Sequence, residues 1–426
     1  MFDLRAHGTS VRTEILAGAT TYLTMAYIVV VNPTILAAAG IDHGAAFVAT
    51  CIAAAIGSAA MGLLANLPLA LAPGMGLNAY FTFTVVKGMG VPWQVALGAV
   101  FLSGLLFLIV SLLRIREWLV NAIPMSLKLG IGAGIGLFLG LIGLHEMGLV
   151  TGNPETLVTL GHLATPGTLF ACLGFLIIAG LTARGLPGAI LIGILLTAAF
   201  GIPLGLTEVH GVISTPPSLA PTLMKLDIAG ALSLGVTTVV LTFFLVDVLD
   251  NAGTLIATTQ RAGLIRPDGT VARLREALLA DSFGAIIGAL LGTSTTTSYI
   301  ESAAGIQAGG RTGLTAVTVA VLFLLTLFFA PIATAIPAFA TAPALVFVAC
   351  LMTRALRDID WDDTTEYVPA VIVAIAIPFS FSIAAGIGLG FIVHVVVKAA
   401  AGRIGAIAGA VWLIAALSLL KFVLGG

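Results

Sequence analysis

Charge is what this sequence has least of. Only 9% of its 426 residues are Asp, Glu, Lys or Arg, against roughly 25% in an ordinary soluble domain. A chain so poor in polar surface cannot cover a water-soluble fold, and its mean hydropathy of +1.15 agrees. The formal net charge of −1 and the lack of a basic stripe give no footing for nucleic acid. Cysteine is equally scarce. Cys51, Cys172 and Cys350 sit singly in apolar runs without metal-ligand spacing, so buried packing is their expected role and no metal or other cofactor is expected. No G-x-x-x-x-G-K-[ST] phosphate loop, H-E-x-x-H pair or T-V-G-Y-G filter occurs. An ATP-hydrolysing domain, a metal hydrolase and a potassium channel are therefore disfavoured, and the chain is not expected to be an enzyme.

Apolar runs are what fills the space. They recur from end to end, and 18 or more apolar residues suffice to cross a hydrocarbon core of about 30 Å. The fold class is all-α and polytopic. Turn residues and charges divide the chain into fourteen spans at 13–38, 45–65, 68–86, 92–113, 118–147, 166–184, 187–205, 230–256, 274–292, 294–307, 313–335, 341–356, 365–381 and 383–401. A last run, 404–424, either spans or lies against the bilayer. The polar start leads directly into a full-length apolar run, so span 1 is expected to insert as part of the mature protein.

The arginines test that count. Arg5 and Arg12 precede span 1; Arg114 and Arg116 follow span 4, and Arg184 follows span 6. Arg261, Arg266, Arg273 and Arg275 follow span 8, Arg311 follows span 10, Arg354 and Arg357 follow span 12, and Arg403 follows span 14. All of them fall on the side of the N-terminus, which the positive-inside bias makes cytoplasmic; Lys87 and Lys225 are the outward exceptions.

The two halves repeat. Gly18-x-Thr20-Thr21, Leu23-Thr24 and Asn32 of span 1 match Gly235-x-Thr237-Thr238, Leu241-Thr242 and Asn251 of span 8. "NAIPMS" opens span 5 and "TAIPAF" precedes span 12, while spans 3 and 10 are both short and glycine-interrupted. Seven spans per half is odd, so the second half inserts upside down. Inverted repeats with short broken segments at matching positions point to a secondary transporter with its site at the midplane.

Those broken segments, "APGMGLN" (Ala72–Asn78) and "GTSTTTS" (Gly292–Ser298), suit extended backbone, because hydroxyl and β-branched residues disfavour continued helix. Such backbone survives at membrane depth only inside protein or beside water. The hydroxyls are expected to line a wet site, with the following half-helices aiming their amides into it. Intramembrane acids sharpen the expectation. Asp247 and Asp250 share a face of span 8 with Thr254, and Glu301 follows the break in span 10. The only fixed cation expected within a span is Lys128, so these acids must hold a proton, a metal cation or a hydrogen-bonding ligand. Asp247 serves equally as a helix-to-helix bond, and Asn78 equally as a helix cap or a ligand contact. His145 and Glu146 are expected to be solvated near an outer boundary, His394 to pack, and Arg354–Glu366 to form a cytoplasmic connector.

At "APGMGLNAYF", "FFLVDVLDNAGTL" and "GTSTTTSYIESAAGIQAGGRTGLTAV", and again at "TEILAGATTYLTMAYIVVVNPTIL", the sequence resembles the nucleobase/ascorbate transporter family. It is most similar to its azaguanine-resistance branch of hypoxanthine, guanine and adenine permeases. The resemblance implies a core domain of spans 1–4 (1–113) and 8–11 (230–335), joined by an external linker (208–229) to a gate domain of spans 5–7 (114–207) and 12–14 (336–402). Residues 403–426 form the unplaced C-terminal segment. It also implies a purine nucleobase between spans 3 and 10, with Asp250 and Glu301 on its polar edge, Asn78 and Ala79 in the span-3 segment, and Ser298 and Tyr299 nearby. Phe81, Phe83 and Tyr299 are candidates to cover the ring. The coupled ion is expected to be a proton carried by Glu301, Asp250 or Asp247, with sodium as the alternative. The uracil and xanthine branches commonly place a second ionisable group where this chain has Thr254. An elevator-like shift of the core, a homodimer through the gate and a plasma (inner) membrane location with the N-terminus inside complete the implication. An inorganic-anion or other nucleobase (uracil or xanthine) transporter on the same scaffold, or less readily a channel, is the competing expectation.

Overall fold

The computed structural model describes residues 2–113, 123–208, 211–261 and 273–424, and these are almost entirely helical. Arg114, Arg116 and Arg266 lie outside the described residues. Among the described residues, eight helices are long and apolar enough to cross a bilayer: spans 1, 2, 4, 5, 6, 11, 12 and 14. Of the others, span 7 (Ala189–Leu204) and span 13 (Thr364–Ser380) are shorter apolar helices, span 8 is Leu234–Arg261 and span 9 is Leu274–Leu291. Spans 3 and 10 are the broken ones.

The breaks pair with each other. Strand β1 (Leu71–Pro73) of span 3 lies antiparallel to strand β4 (Thr296–Ser298) of span 10, with Leu71 opposite Ser298 and Pro73 opposite Thr296. A second hairpin, β2 (Val150–Asn153) with β3 (Leu157–Leu160), follows span 5. Beyond β1 the chain turns at Gly74 into the half-helix Met75–Ala79 and a wider π-helical turn, Tyr80–Gly88. Extended backbone thus ends at Pro73, earlier than the expected 72–78, and Asn78 is helical; Gly74, not Asn78, occupies the cap position. After β4 comes the half-helix Ser302–Gln307, with Glu301 at its N-cap. Span 9 ends at Gly292, whose φ of +99° suits glycine and where a Cβ would lie 2.3 Å from that of Thr222. Span 1 is also broken, which its sequence did not announce: Val11–Met25 and Ile28–Ala37 meet at a turn over Ala26 and Tyr27.

Packing sorts the spans into groups. Span 5 packs most extensively on spans 12 and 13, and span 13 on span 14; spans 1, 2 and 11 pack together, as do spans 2, 4 and 9. The repeat extends to local detail, since Pro124 and Pro337 each stand at the N-cap of a long helix, span 5 (Met125–Glu146) and span 12 (Ala338–Thr353). The C-terminal helix Gly409–Leu424 packs against span 14. Cys51 is buried as expected, but Cys172 is half-buried and Cys350 exposed, so the packing role holds fully only for Cys51. His145 is exposed and His394 buried, both as expected. In the connector before span 13, Asp363 caps the helix at Thr365 and meets Arg403. These bonds, led by the Thr365 hydroxyl, hold its carboxyl down at about 2.

Two carboxylates, one fully buried and one half-buried, fasten these groups. Glu14 of span 1 is fully buried, and its oxygens accept from the Arg311 and Thr312 amides at 2.9 and 3.2 Å and from the Thr315 hydroxyl at 2.6 Å. It therefore sits on the N-terminus of span 11 (Gly313–Ala335), where the helix dipole favours an anion. Glu366 of span 13 accepts from Lys398 of span 14 at 2.6 Å and from Ser126 of span 5 at 2.5 Å. Lys398 is 8% exposed. This corrects the expectation that Lys128 is the only fixed cation within a span: Lys398 belongs to Ile383–Ala400 and is buried because Glu366 neutralises it.

Replacing Glu14 by Ala strands two buried amides and a hydroxyl, and is expected to lower stability by about 3 kcal/mol, read as thermal unfolding of the detergent-solubilised protein. At the other clasp, Glu366→Gln or Lys398→Met alone is expected to cost about 3 kcal/mol because it leaves an unpaired buried charge. The double variant should recover most of the loss. Additive losses would show that the pair does not act as a unit.

Candidate functional site

The paired breaks bring together most of the residues that the sequence singled out. The site's floor is the β1–β4 ladder, whose surroundings are tied by side chains from four helices. Ser58 of span 2 both accepts from the Leu71 amide (2.9 Å) and donates to its carbonyl (3.0 Å). Ser302 accepts from the Ala70 amide at 3.0 Å. Asn32 of span 1 donates to Thr293 at 2.9 Å and to Thr50 at 2.7 Å, while Asn251 of span 8 accepts from the Ser298 amide at 3.1 Å. These are the two asparagines matched in the repeat. Each secures one end of the same 293–298 segment, so the correspondence has a structural cause.

Span 8 places Asp247 beside this floor. Asp247 is fully buried, and its carboxylate accepts from the Asn251 side-chain amide at 3.3 Å. The same amide donates to Asp281 of span 9, which is also fully buried. Asp281 was missed in the sequence, although a census of acids within spans reaches it. The side chain of Asp250 lies outside the described residues. Thr254 is half-buried one turn beyond Asp250 on the same helix, and its carbonyl accepts from Thr258 at 2.5 Å.

On span 3, Asn78 is fully buried, yet neither its side-chain oxygen nor its nitrogen has a hydrogen-bond partner among the described residues. The hydroxyls of Ser294, Thr295, Thr296, Thr297 and Ser298 are likewise buried and unpartnered. Ala79 and Phe81 are fully buried. Phe83 lies under Lys87, whose amine sits 5.5 Å from the ring centre, so it serves the end of span 3. Tyr299 spends its hydroxyl on the Pro73 carbonyl at 2.5 Å and its amide on Ala70 at 3.0 Å, and so braces the strand pair. Gly76 admits span 5: a Cβ there would lie 2.2 Å from Ile135.

Glu301 lines a cleft of about 180 Å³. Thr24, Glu301 and Ala304 form one wall; Thr182, Gly188 and Ala189 from the span 6–7 region, with Phe347 and Leu351 of span 12, form the other. One carboxylate oxygen accepts from the Tyr27 hydroxyl at 2.7 Å. Tyr27 is 1% exposed and sits in the turn that breaks span 1. No glycine or proline marks that turn, so nothing in the sequence flagged it. Chemically the site offers unspent amide and hydroxyl groups, a carboxylate at a cleft and two acids sharing one amide. It can bind a polar, flat or small solute and hold a cation, and among the described residues no cluster of metal-ligating groups is present.

Known proteins agree with this architecture. A profile described as "permease family" matches residues 12–389. A putative permease of Methanocaldococcus jannaschii is 52% identical over 99% of this chain and 97% of its own length. Adenine permease AdeP of Escherichia coli is 48% identical over 99% and 95% of the two chains. Guanine/hypoxanthine permease PbuG of Bacillus subtilis is 44% identical over 94% of each. Among solved structures, the transmembrane domain of the cyanobacterial bicarbonate transporter BicA superposes with a TM-score of 0.67 at 16% identity, covering 89% of this chain and 97% of that one. It has the same fold, seven spans and an inverted seven. Matched over most of its length to the family profile and nearly end to end to these relatives, the chain is an integral membrane protein and belongs to the permease family.

Proposed function

We propose that this protein imports a purine nucleobase across the plasma membrane by proton symport, with Glu301, Asp250 and Asn78 bonding the base and Glu301, Asp250 and Asp247 serving the proton. The observation that carries this reading is Asn78, a fully buried amide with both donor and acceptor unspent. Each such group costs about 1–3 kcal/mol until it finds a partner. A purine edge, where a ring nitrogen stands next to an N–H or an exocyclic amine, satisfies both at once. Ala79 gives the ring a small apolar neighbour, and Ser298 and Thr254 add hydroxyls to the rim; Tyr299 contributes by holding the strand pair. The adenine and guanine/hypoxanthine permeases among the relatives support this substrate class.

A buried carboxylate neutralises unless something pays for its charge. Glu301 has Tyr27 as its side-chain partner among the described residues and faces an uncharged wall. A proton is the simplest companion, and a carboxylate does not suit an inorganic anion as cargo. The cleft of about 180 Å³ falls short of the roughly 300–1,000 Å³ of ligand pockets, and Asn78 is not among its lining residues. Admitting a base therefore needs the two packing groups to part. Spans 1–4 and 8–11 act as the moving core and spans 5–7 and 12–14 as the gate, which also pairs two copies into a dimer. The cleft adjoins the connector bearing Arg184 and so lies toward the arginine-rich face. With the N-terminus inside, that face is cytoplasmic and the conformation is inward-facing.

Uptake of labelled adenine, guanine and hypoxanthine into proteoliposomes is expected to require an inward proton gradient and to resist competition by uracil, ascorbate, bicarbonate and sulfate. Glu301→Ala and Asp250→Ala should each reduce it about a hundredfold and Asn78→Ala about tenfold, matching the loss of charged and neutral bonds respectively. Full uptake in the first two variants would remove these residues from the site, and purine-insensitive uptake of an anion would replace the substrate.

A further inference from the structure

The Tyr27–Glu301 contact joins two breaks that lie far apart in the sequence. Span 1 interrupts its helix at Ala26 and Tyr27, and the two residues resume bonding on the far side, where the Val30 and Val31 amides donate to the Tyr27 carbonyl at 3.1 and 3.0 Å. The interruption fixes the phenol inside the protein, 1% exposed, with its hydroxyl 2.7 Å from Glu301. One turn earlier, Thr24 reaches the Glu301 carbonyl at 3.5 Å. The elbow of span 1 thus grips the first residue of the span-10 half-helix at both ends. A buried phenol needs an acceptor, and the acceptor here is a carboxylate that lines a cleft.

The two groups differ in what they can exchange. A tyrosine hydroxyl donating to a carboxylate makes a charge-assisted bond, roughly twice the strength of a neutral one. Once Glu301 takes a proton the bond weakens, and a purine N–H competes for the same oxygen. We infer that Tyr27 is the positioning residue for Glu301: its hydroxyl is the resident donor that orients the carboxylate across the cleft and is displaced when the proton or the base arrives. This rests on Glu301 having the role proposed above. Other titratable or charged groups around the half-helix are Tyr299 on its own segment and Glu14 and Arg311 beyond its C-terminus, where the Arg311 guanidinium bonds the Ile306 carbonyl at 2.7 Å. Span 8, packed on the same half-helix, carries Asp247. The opposite wall, from Thr182 to Leu351, is uncharged.

The test is equilibrium binding of labelled adenine or hypoxanthine to the purified full-length protein, titrated from acid to alkaline pH. Tyr27→Phe keeps the ring and removes only the hydroxyl. Without that donor the Glu301 carboxyl keeps its proton longer, so the midpoint of the pH dependence is expected to move up by about one unit, the equivalent of one charge-assisted bond. In a Glu301→Gln background the same change should move nothing further. An unchanged midpoint in Tyr27→Phe, or an equal shift in the Glu301→Gln background, overturns the inference. Uptake measured in parallel separates the two ideas: wild-type uptake indifferent to the proton gradient would defeat symport, while the binding titration still decides Tyr27.

Discussion

A backbone amide inside a membrane has to be paired, and this molecule breaks two helices at the depth where pairing is hardest. Its solution is to pair one break with the other. Leu71–Pro73 and Thr296–Ser298 lie antiparallel, and Ser58, Ser302 and Asn251 take up groups that the short ladder leaves over. The remaining architecture serves that arrangement. Span 2 must come close enough to deliver Ser58, span 8 must be turned to present Asn251, and span 1 must carry Asn32 to Thr293. The strand pair is also what frees a row of hydroxyls from helical back-bonding and leaves them for a visitor.

The buried acids then divide by partner. Glu14 and Glu366 are matched by amides, hydroxyls and a lysine, and they join helices. Asp247 and Asp281 meet through the Asn251 amide, whose other end holds the span-10 strand. A change of charge at that pair is therefore felt at the strand. Glu301 alone of these faces a cleft, with one phenol for company. A group that holds helices together and a group that handles a ligand contain the same carboxylate; the difference is how many donors have already been assigned to it.

The scaffold does not choose the cargo. A bicarbonate transporter's transmembrane domain has this fold at 16% identity, whereas relatives at 48% and 44% identity are named for purines. What separates such proteins is the set of side chains around the breaks. Here that set is an unspent amide, a row of threonines and serines, and acids in place of a cation.

The chain's composition by itself decided that it is a membrane protein, because residues too apolar for water have nowhere else to fold. Its spacing marked the breaks in spans 3 and 10, since Gly74, Gly292 and the hydroxyl run at 293–298 cannot continue a helix cheaply. Periodic, local properties of this kind are written along the chain. Tertiary structure alone decided who meets whom. Tyr27 looks like any membrane tyrosine until the fold sets it against a residue 274 positions away, and Lys398 counts as a stray charge until Glu366 is placed beside it. Asn78 was readable as a cap, and only the fold buries both its amide atoms without a partner among the described residues. Partnership between distant polar groups depends on three-dimensional distance and on which donors remain unspent, and neither is a property of any single stretch of sequence.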